Sequence, residues 1–335
     1  MKLLLKLFLI ISINNFYAAS SYVDNQLIVK FNSGLNEQSI SQNLKNTNFN
    51  VKKCLVKKLN IWLVEFDSKN NKNAFKYLDE ISSFDYVVYA QLDHKVKQRE
   101  IPNDPYFNQM WGLNNTGQSG GQVDGDIDAV EAWDISTGGL TALGDEIVVA
   151  VVDGGVDINH PDLVNNIWVN NNEIPNNGID DDGNGYVDDI NGWDAYSNDG
   201  SIPSDNHGTH VAGTIGAKGN NSSDVVGVNW DVKIMSVAGS SGSTSTISIA
   251  YGYVLDQKSL WLSSNGEFGA NVVATNSSFG VDNANCNSGS YPVWNDLYNA
   301  MGQVGILSAA ATTNSNQNVD QVGDVPTGCN SDWVV

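Results

Sequence analysis

The apolar positions of this chain follow two regimes. Between residues 22 and 98, short β-branched and aromatic runs at 26–31, 61–66 and 86–90 have strand composition, with helical stretches between them, as at 74–81. Beyond residue 100 the strands become continuous apolar runs, at 147–152, 234–238, 272–274 and 306–311. A strand that is apolar on both sides needs cover on both faces, the condition of a parallel sheet between helical layers. Helices are expected between these runs at 208–217, 246–260 and 294–301. In the last of them Trp294, Leu297, Tyr298 and Met301 keep the i, i+3, i+4, i+7 spacing. The expected architecture is therefore α/β, a doubly wound and mostly parallel sheet, preceded by a small α+β domain.

Charge draws a boundary in the same place. Residues 1–100 carry 14 Lys and Arg against 9 Asp and Glu, whereas residues 101–335 carry 3 against 29. A change from +5 to −26 separates a domain at 21–100 from one at 101–335, and 335 residues exceed what one small core organises. So acidic a surface repels polyanions, which excludes nucleic acid and anionic membrane as partners. A basic domain ahead of an acidic one also suggests an intramolecular chaperone or inhibitor, held partly by opposite charge.

The first twenty residues read as an export signal. Lys2 and Lys6 give the positive start, residues 3–13 the apolar stretch, and Ala18, Ala19 and Ser20 the small residues of a cleavage site. A buried N-terminal helix is the alternative, and the stretch is too short for a membrane span. Export places the protein outside the cell, where disulfides persist. Cys54 lies in the basic domain. Cys286 and Cys329 lie in the acidic one, either paired across a loop of about forty residues or as two buried thiols.

Candidate chemistry sits at strand and helix ends. Asp153 closes the run at 147–152, so it falls at the carboxyl end of a parallel strand, where open α/β sheets bind their ligands. A carboxylate half removed from water there needs a partner, unless it only caps the next turn. The chain has four histidines. His94 belongs to the basic domain and His160 to a turn before Pro161, which leaves His207 and His210 at a helix start. A zinc pair on one helix would stand four apart with a glutamate between, and these two do neither.

These residues make the chain resemble the subtilisin-like serine proteases, from about Pro102 onward. Asp153 with Gly155, Val156 and Asp157, and with His160-Pro161-Asp162-Leu163, is similar to the family's aspartate block. His207-Gly208-Thr209-His210-Val211-Ala212-Gly213 is similar to its histidine block, and the order Asp then His is that of subtilisin. The resemblance implies that His207 takes a proton from a serine hydroxyl and returns it to the leaving amine. Asp153 would fix the imidazole tautomer and stabilise its cation. Asn314 resembles the asparagine that donates to the developing oxyanion, although a polar loop would look the same. Ser278, Phe279 and Gly280 resemble the segment that pairs with an extended peptide substrate, and Gly239 and Gly242 the opposing edge. The chain departs from the family at Gly154, where Ser or Thr is usual, and at Thr313, where Gly is usual.

The family's Gly-Thr-Ser nucleophile block is not found, and Gly242-Ser243-Thr244-Ser245 lies upstream of where it belongs. Residues 333–335 read as an interrupted strand, so the expectation is a precursor truncated before its serine and itself inactive. The basic domain becomes the propeptide, an intramolecular inhibitor, with processing near residues 99–103; Arg99 is the only arginine of the chain.

Residues 180–189 form a separate feature. Asp180, Asp182 and Asn184 take positions one, three and five of a calcium loop with Gly185 at six, and Tyr186 and Asp188 continue the alternation. Position twelve is Asn191 rather than glutamate, and a solvated turn-rich insertion is the alternative. Two functions follow: a secreted, calcium-stabilised serine endopeptidase precursor, or a non-catalytic calcium-dependent peptide-binding protein on the same fold.

Overall fold

The computed structural model describes residues 22–67, 74–95 and 101–335. The chain divides into two compact units, Met1–Gln98 and Arg99–Val335. The expected export signal at residues 1–20 and the arginine at 99 lie outside the described residues.

The first unit runs β1 (Tyr22–Phe31), α1 (Glu37–Leu44), β2 (Phe49–Val56), β3 (Ile61–Phe66), α2 (Ala74–Ser82) and β4 (Val87–His94). Its strands form an antiparallel sheet in the order β2-β3-β1-β4. Period-two burial of Leu27, Val29 and Phe31 gives β1 one apolar face. Ile40 and Leu44 of α1 and Ala74, Tyr77 and Ile81 of α2 complete one core with it. Sequence pattern missed β2, an edge strand that fully buries only Phe49 and carries Lys52 and Lys53. Lysines on an edge discourage pairing with a further chain, and they also erase the apolar signal.

The second unit contains α3 (Ala129–Trp133), β5 (Val148–Asp153), β6 (Gly192–Asp194), α4 (Asn206–Gly216), β7 (Lys233–Ala238), α5 (Thr244–Ser263), β8 (Val272–Ser277), β9 (Val281–Asp282), α6 (Pro292–Gln303), β10 (Leu307–Ala310), α7 (Val319–Val322) and β11 (Asp324–Val325). Five strands form a sheet ordered β10-β8-β5-β7-β6, with every pair parallel. From β5 the chain fills one side of the sheet, the edge strand β6 before β7, and then the other through β8 and β10, so β5 is central and the sheet is doubly wound, as expected.

The two faces of β5 explain its unbroken apolar run. Val148, Ala150 and Val152 enter one core with Ala250 and Val254 of α5 and with Trp294, Tyr298 and Met301 of α6. Val151 enters the opposite core with Ala212 of α4. Each fully buried valine contributes about 1.5–3 kcal/mol, so both helical layers hold this strand in place. Pro292 opens α6 and Ser243 caps α5 by accepting the Thr246 N–H. At three residues β6 is too short to show a period.

Outside the main sheet, β9 and β11 pair antiparallel, with Val281 opposite Val325 and Asp282 opposite Asp324. Cys286 and Cys329, which follow these strands, are joined in a disulfide with Cα atoms 4.9 Å apart; Cys54 is free and half-buried. Residues 333–335 run beside β10, where Ser308 donates to the Trp333 carbonyl at 2.9 Å and accepts from Val335 at 2.9 Å. Among the described residues no helix is long and apolar enough to cross a membrane. Replacing both Cys286 and Cys329 by serine is expected to lower stability by about 2–4 kcal/mol, because the bond closes a long loop. Urea unfolding with and without the pair measures the difference.

Candidate active site

Asp153 is the last residue of β5, and only 2% of it is exposed. One carboxylate oxygen, Oδ1, accepts the Gly154 N–H at 2.7 Å. His207, one residue into α4, places Nδ1 2.8 Å from Oδ1 and 3.0 Å from Oδ2 of the same carboxylate. The histidine side chain is 61% exposed, so its far edge is open while its near edge is held. Hydrogen bonding to Asp153, reinforced by that residue's charge and more weakly by Asp205, raises the His207 pKa above 6.5; partial burial opposes the shift.

The start of α4 is fixed from several sides. Asp205 caps it by accepting the Gly208 N–H at 2.9 Å. Thr209 donates its hydroxyl to the Asp205 carbonyl at 2.6 Å and accepts the Asp157 N–H at 2.8 Å. A Cβ at Gly208 would lie 2.0 Å from the Gly155 carbonyl, so only glycine lets the helix approach the strand end so closely. The departure at Gly154 has a physical counterpart: a Cβ there would stand 2.9 Å from the Asp205 carboxyl carbon. Carboxylate and imidazole ligand atoms of Asp153, Asp205 and His207 all fall within 4.8 Å of one another.

A cleft of about 250 Å³ opens beside His207, lined among others by Ser278, Phe279, Gly280 and Asn314. Residues 71 or more positions from His207 in sequence thus share one cavity with it. Gly239 sits instead behind the aspartate, donating its N–H to the Asp153 carbonyl at 2.8 Å, and Gly242 precedes the Ser243 cap of α5; neither lines the cleft. His210 faces a different cavity, together with His160.

A family model described as "Subtilase family" matches residues 144–335, and one described as "Fervidolysin N-terminal prodomain" matches residues 16–93. The chain belongs to the subtilase family. Among curated proteins, "Subtilisin-like protease 1" of Plasmodium berghei (strain Anka) is 39% identical over 156 residues, which cover 44% of this chain and 24% of that protein. "PC3-like endoprotease variant B" of Hydra vulgaris is 33% identical over 171 residues, 51% of this chain and 21% of its own length. The matched part is thus about a quarter of these relatives. Among solved structures, fervidolysin from Fervidobacterium pennivorans aligns with a TM-score of 0.39 at 18% identity, over 89% of this chain and 41% of that one.

A second cluster of this subtilase lies in residues 173–189. Glu173, Asp182 and Asp189 each bring a carboxylate oxygen within 4.8 Å of the others. Asp189 is fully buried, and burial pushes its pKa up to about 7; bonds from Asn170 and Tyr253 pull the other way, and the Asp182 charge adds to the rise. Of the residues chosen by spacing, Asp182 joins this cluster directly. Asn184 bridges Asp182 and Asp189 through its amide at 3.2 Å to each. Asp180 accepts backbone N–H groups of Gly183, Asn184 and Gly185, and Asp188 those of Asn177 and Gly178. Tyr186 donates its hydroxyl to Asp256 at 2.8 Å. The donor set is all oxygen and acidic, which suits a hard divalent cation.

Sequence reading missed Glu173 and Asp205, and it counted Asp189 in the acidic loop without giving it a ligand position. Asp205 carried a usable signal, an acid just before a helix start. Glu173 lies outside the repeating loop and reaches it only through folding.

In an NMR titration of the imidazoles, His207 is expected to titrate above 6.5, and Asp153→Asn to bring it back toward or below that value. Because the folded-state pKa is raised, this proton stabilises the fold below pH about 6.5, and the contribution disappears as pH rises through the folded pKa.

Proposed function

We propose that the full-length protein is a secreted serine endopeptidase made as a precursor. In this reading residues 1–20 direct export, 21–100 form a propeptide that assists folding and then inhibits, and 101–335 are the front part of the catalytic domain. The observation that carries the reading is the held pair, Asp153 and His207 at 2.8 Å, opening onto a cleft that Asn314 also lines. A buried acid against Nδ1 leaves Nε2 free to take a proton from a serine hydroxyl. The serine would come from sequence outside these 335 residues. Asn314 would donate to the oxyanion, and Ser278, Phe279 and Gly280 would pair with an extended peptide, Gly239 and Gly242 belonging to the opposing edge.

Calcium belongs to the same reading. Glu173, Asp182 and Asp189 would hold it, with Asp180, Asn184, Tyr186 and Asp188 shaping the loop around it. Its contribution would be charge neutralisation among buried carboxylates, and therefore stability rather than bond cleavage.

The full-length protein should hydrolyse casein or a fluorogenic peptide, and His207→Ala should reduce kcat by about a million-fold, a magnitude measured on subtilisin itself. Hydrolysis unchanged in His207→Ala would contradict the assignment. A protein that binds peptide and never cleaves it would instead be the non-catalytic alternative. Removing calcium with a chelator should lower Tm by several degrees, since a ligand of the native state stabilises by mass action. An unchanged Tm, with no calcium in elemental analysis, would remove the metal from the account.

A further inference from the structure

The cleft beside His207 has two acidic wall residues that the reaction does not use, Asp282 and Asp324. They stand directly opposite each other on β9 and β11. Like charges in that position repel across an antiparallel pair. Only 1% of Asp324 is exposed; Oδ2 accepts the Thr313 N–H at 3.1 Å, while Oδ1 is buried with no hydrogen-bond partner. Burial pushes the Asp324 carboxyl up, the Thr313 N–H pulls it back, the Asp282 charge adds to the rise, and the Val325 N–H opposes it more weakly. Asp282, by contrast, is exposed at the rim.

The protein builds this pair in deliberately. A Cβ at Gly280 would lie 2.5 Å from the Val325 carbonyl, so glycine there lets β11 close on the substrate segment. The Cys286–Cys329 bond then ties together the two strands' continuations, four and five residues beyond the acids. A buried carboxylate oxygen without a partner is costly, and a cation would remove the cost.

No side chain of the catalytic unit supplies that cation. Residues 101–335 contain three lysines and no arginine. Lys218 is bonded to Asp231, Lys233 to the Asn165 carbonyl and Lys258 to Asn271. His207 is already committed to Asp153. Asp282 and Asp324 also belong to neither of the groups of three or more His, Cys, Asp or Glu whose ligand atoms converge closely enough to hold a metal ion among the described residues. Short of taking up a proton, the partner that remains for this carboxylate is a cation brought by the substrate.

We propose that Asp324, with Asp282 at the rim, makes this cleft selective for a lysine or arginine side chain on the residue whose carbonyl is attacked beside His207. This rests on the endopeptidase reading above. A peptide laid along Ser278, Phe279 and Gly280 places alternate side chains to one side, and the acid pair lies on the adjoining wall. The basic side chain would complete the hydrogen bonding that Oδ1 lacks, a charge-assisted contact made in a water-poor site.

The test uses the full-length protein and four fluorogenic peptides that differ only before the scissile bond, carrying Arg, Lys, Leu or Glu. Expected is a kcat/KM for Arg or Lys about 30-fold or more above that for Leu, and a preference reduced by a similar factor in Asp324→Asn. Asp282→Asn, at an exposed position that puts folding at little risk, should reduce it less; thermal melts check that both variants are folded. Hydrolysis that favours Leu in the parent overturns the inference and leaves the endopeptidase reading standing. A basic preference that persists in both folded variants overturns the assignment to these carboxylates. No hydrolysis of any peptide overturns the endopeptidase reading, and this inference with it.

Discussion

Everything at the site depends on one carboxylate removed from water at the end of a central strand. Asp153 is pulled into the protein by the valines that precede it, whose side chains are claimed by two helical cores. A buried, unpartnered acid would shed its charge by raising its pKa. Here the Gly154 N–H and the His207 imidazole keep it satisfied, and the same contacts orient the imidazole. The position of α4 follows from this requirement. Its cap at Asp205, the glycine at 208 and the Thr209 bonds all bring the helix start to where the acid needs a partner. Fold stability and the capacity for proton transfer therefore rest on the same few atoms.

Acidic residues of the second unit fall into three different environments. Asp153 is buried and paired with an imidazole. Glu173, Asp182 and Asp189 are gathered around one point, with the Asn170 and Asn184 amides shared between Asp182 and Asp189, an arrangement that suits a cation of two charges. Asp282 and Asp324 face each other on the cleft wall with a single oxygen left without a partner. Net charge alone, however far from zero, distinguishes none of these.

The sheet strands were legible because each is buried on both faces, and continuous apolar runs survive any error in their exact limits. The pairing of Asp153 with His207 was legible because the glycines and threonine around it are dictated by close backbone approach, which leaves a mark in neighbouring positions. β2 and β6 were not, the first because an edge strand carries lysines and the second because three residues show no period. Glu173 joins its cluster, and Asp324 joins Asp282, across separations of 16 residues or less in one case and 42 in the other. No local spacing rule connects them; only the folded chain does. The cysteines illustrate the same limit, since nothing in their spacing decided between a bond and two thiols until β9 and β11 were seen to pair.

The central claim is that the fold assembles Asp153 and His207 to activate a serine, and covalent labelling addresses it most directly. Full-length protein treated with a fluorophosphonate should take up label at one serine, and His207→Ala should take up none at the same reagent concentration. Labelling that proceeds equally in the variant, or that never occurs in folded parent protein, would contradict the account.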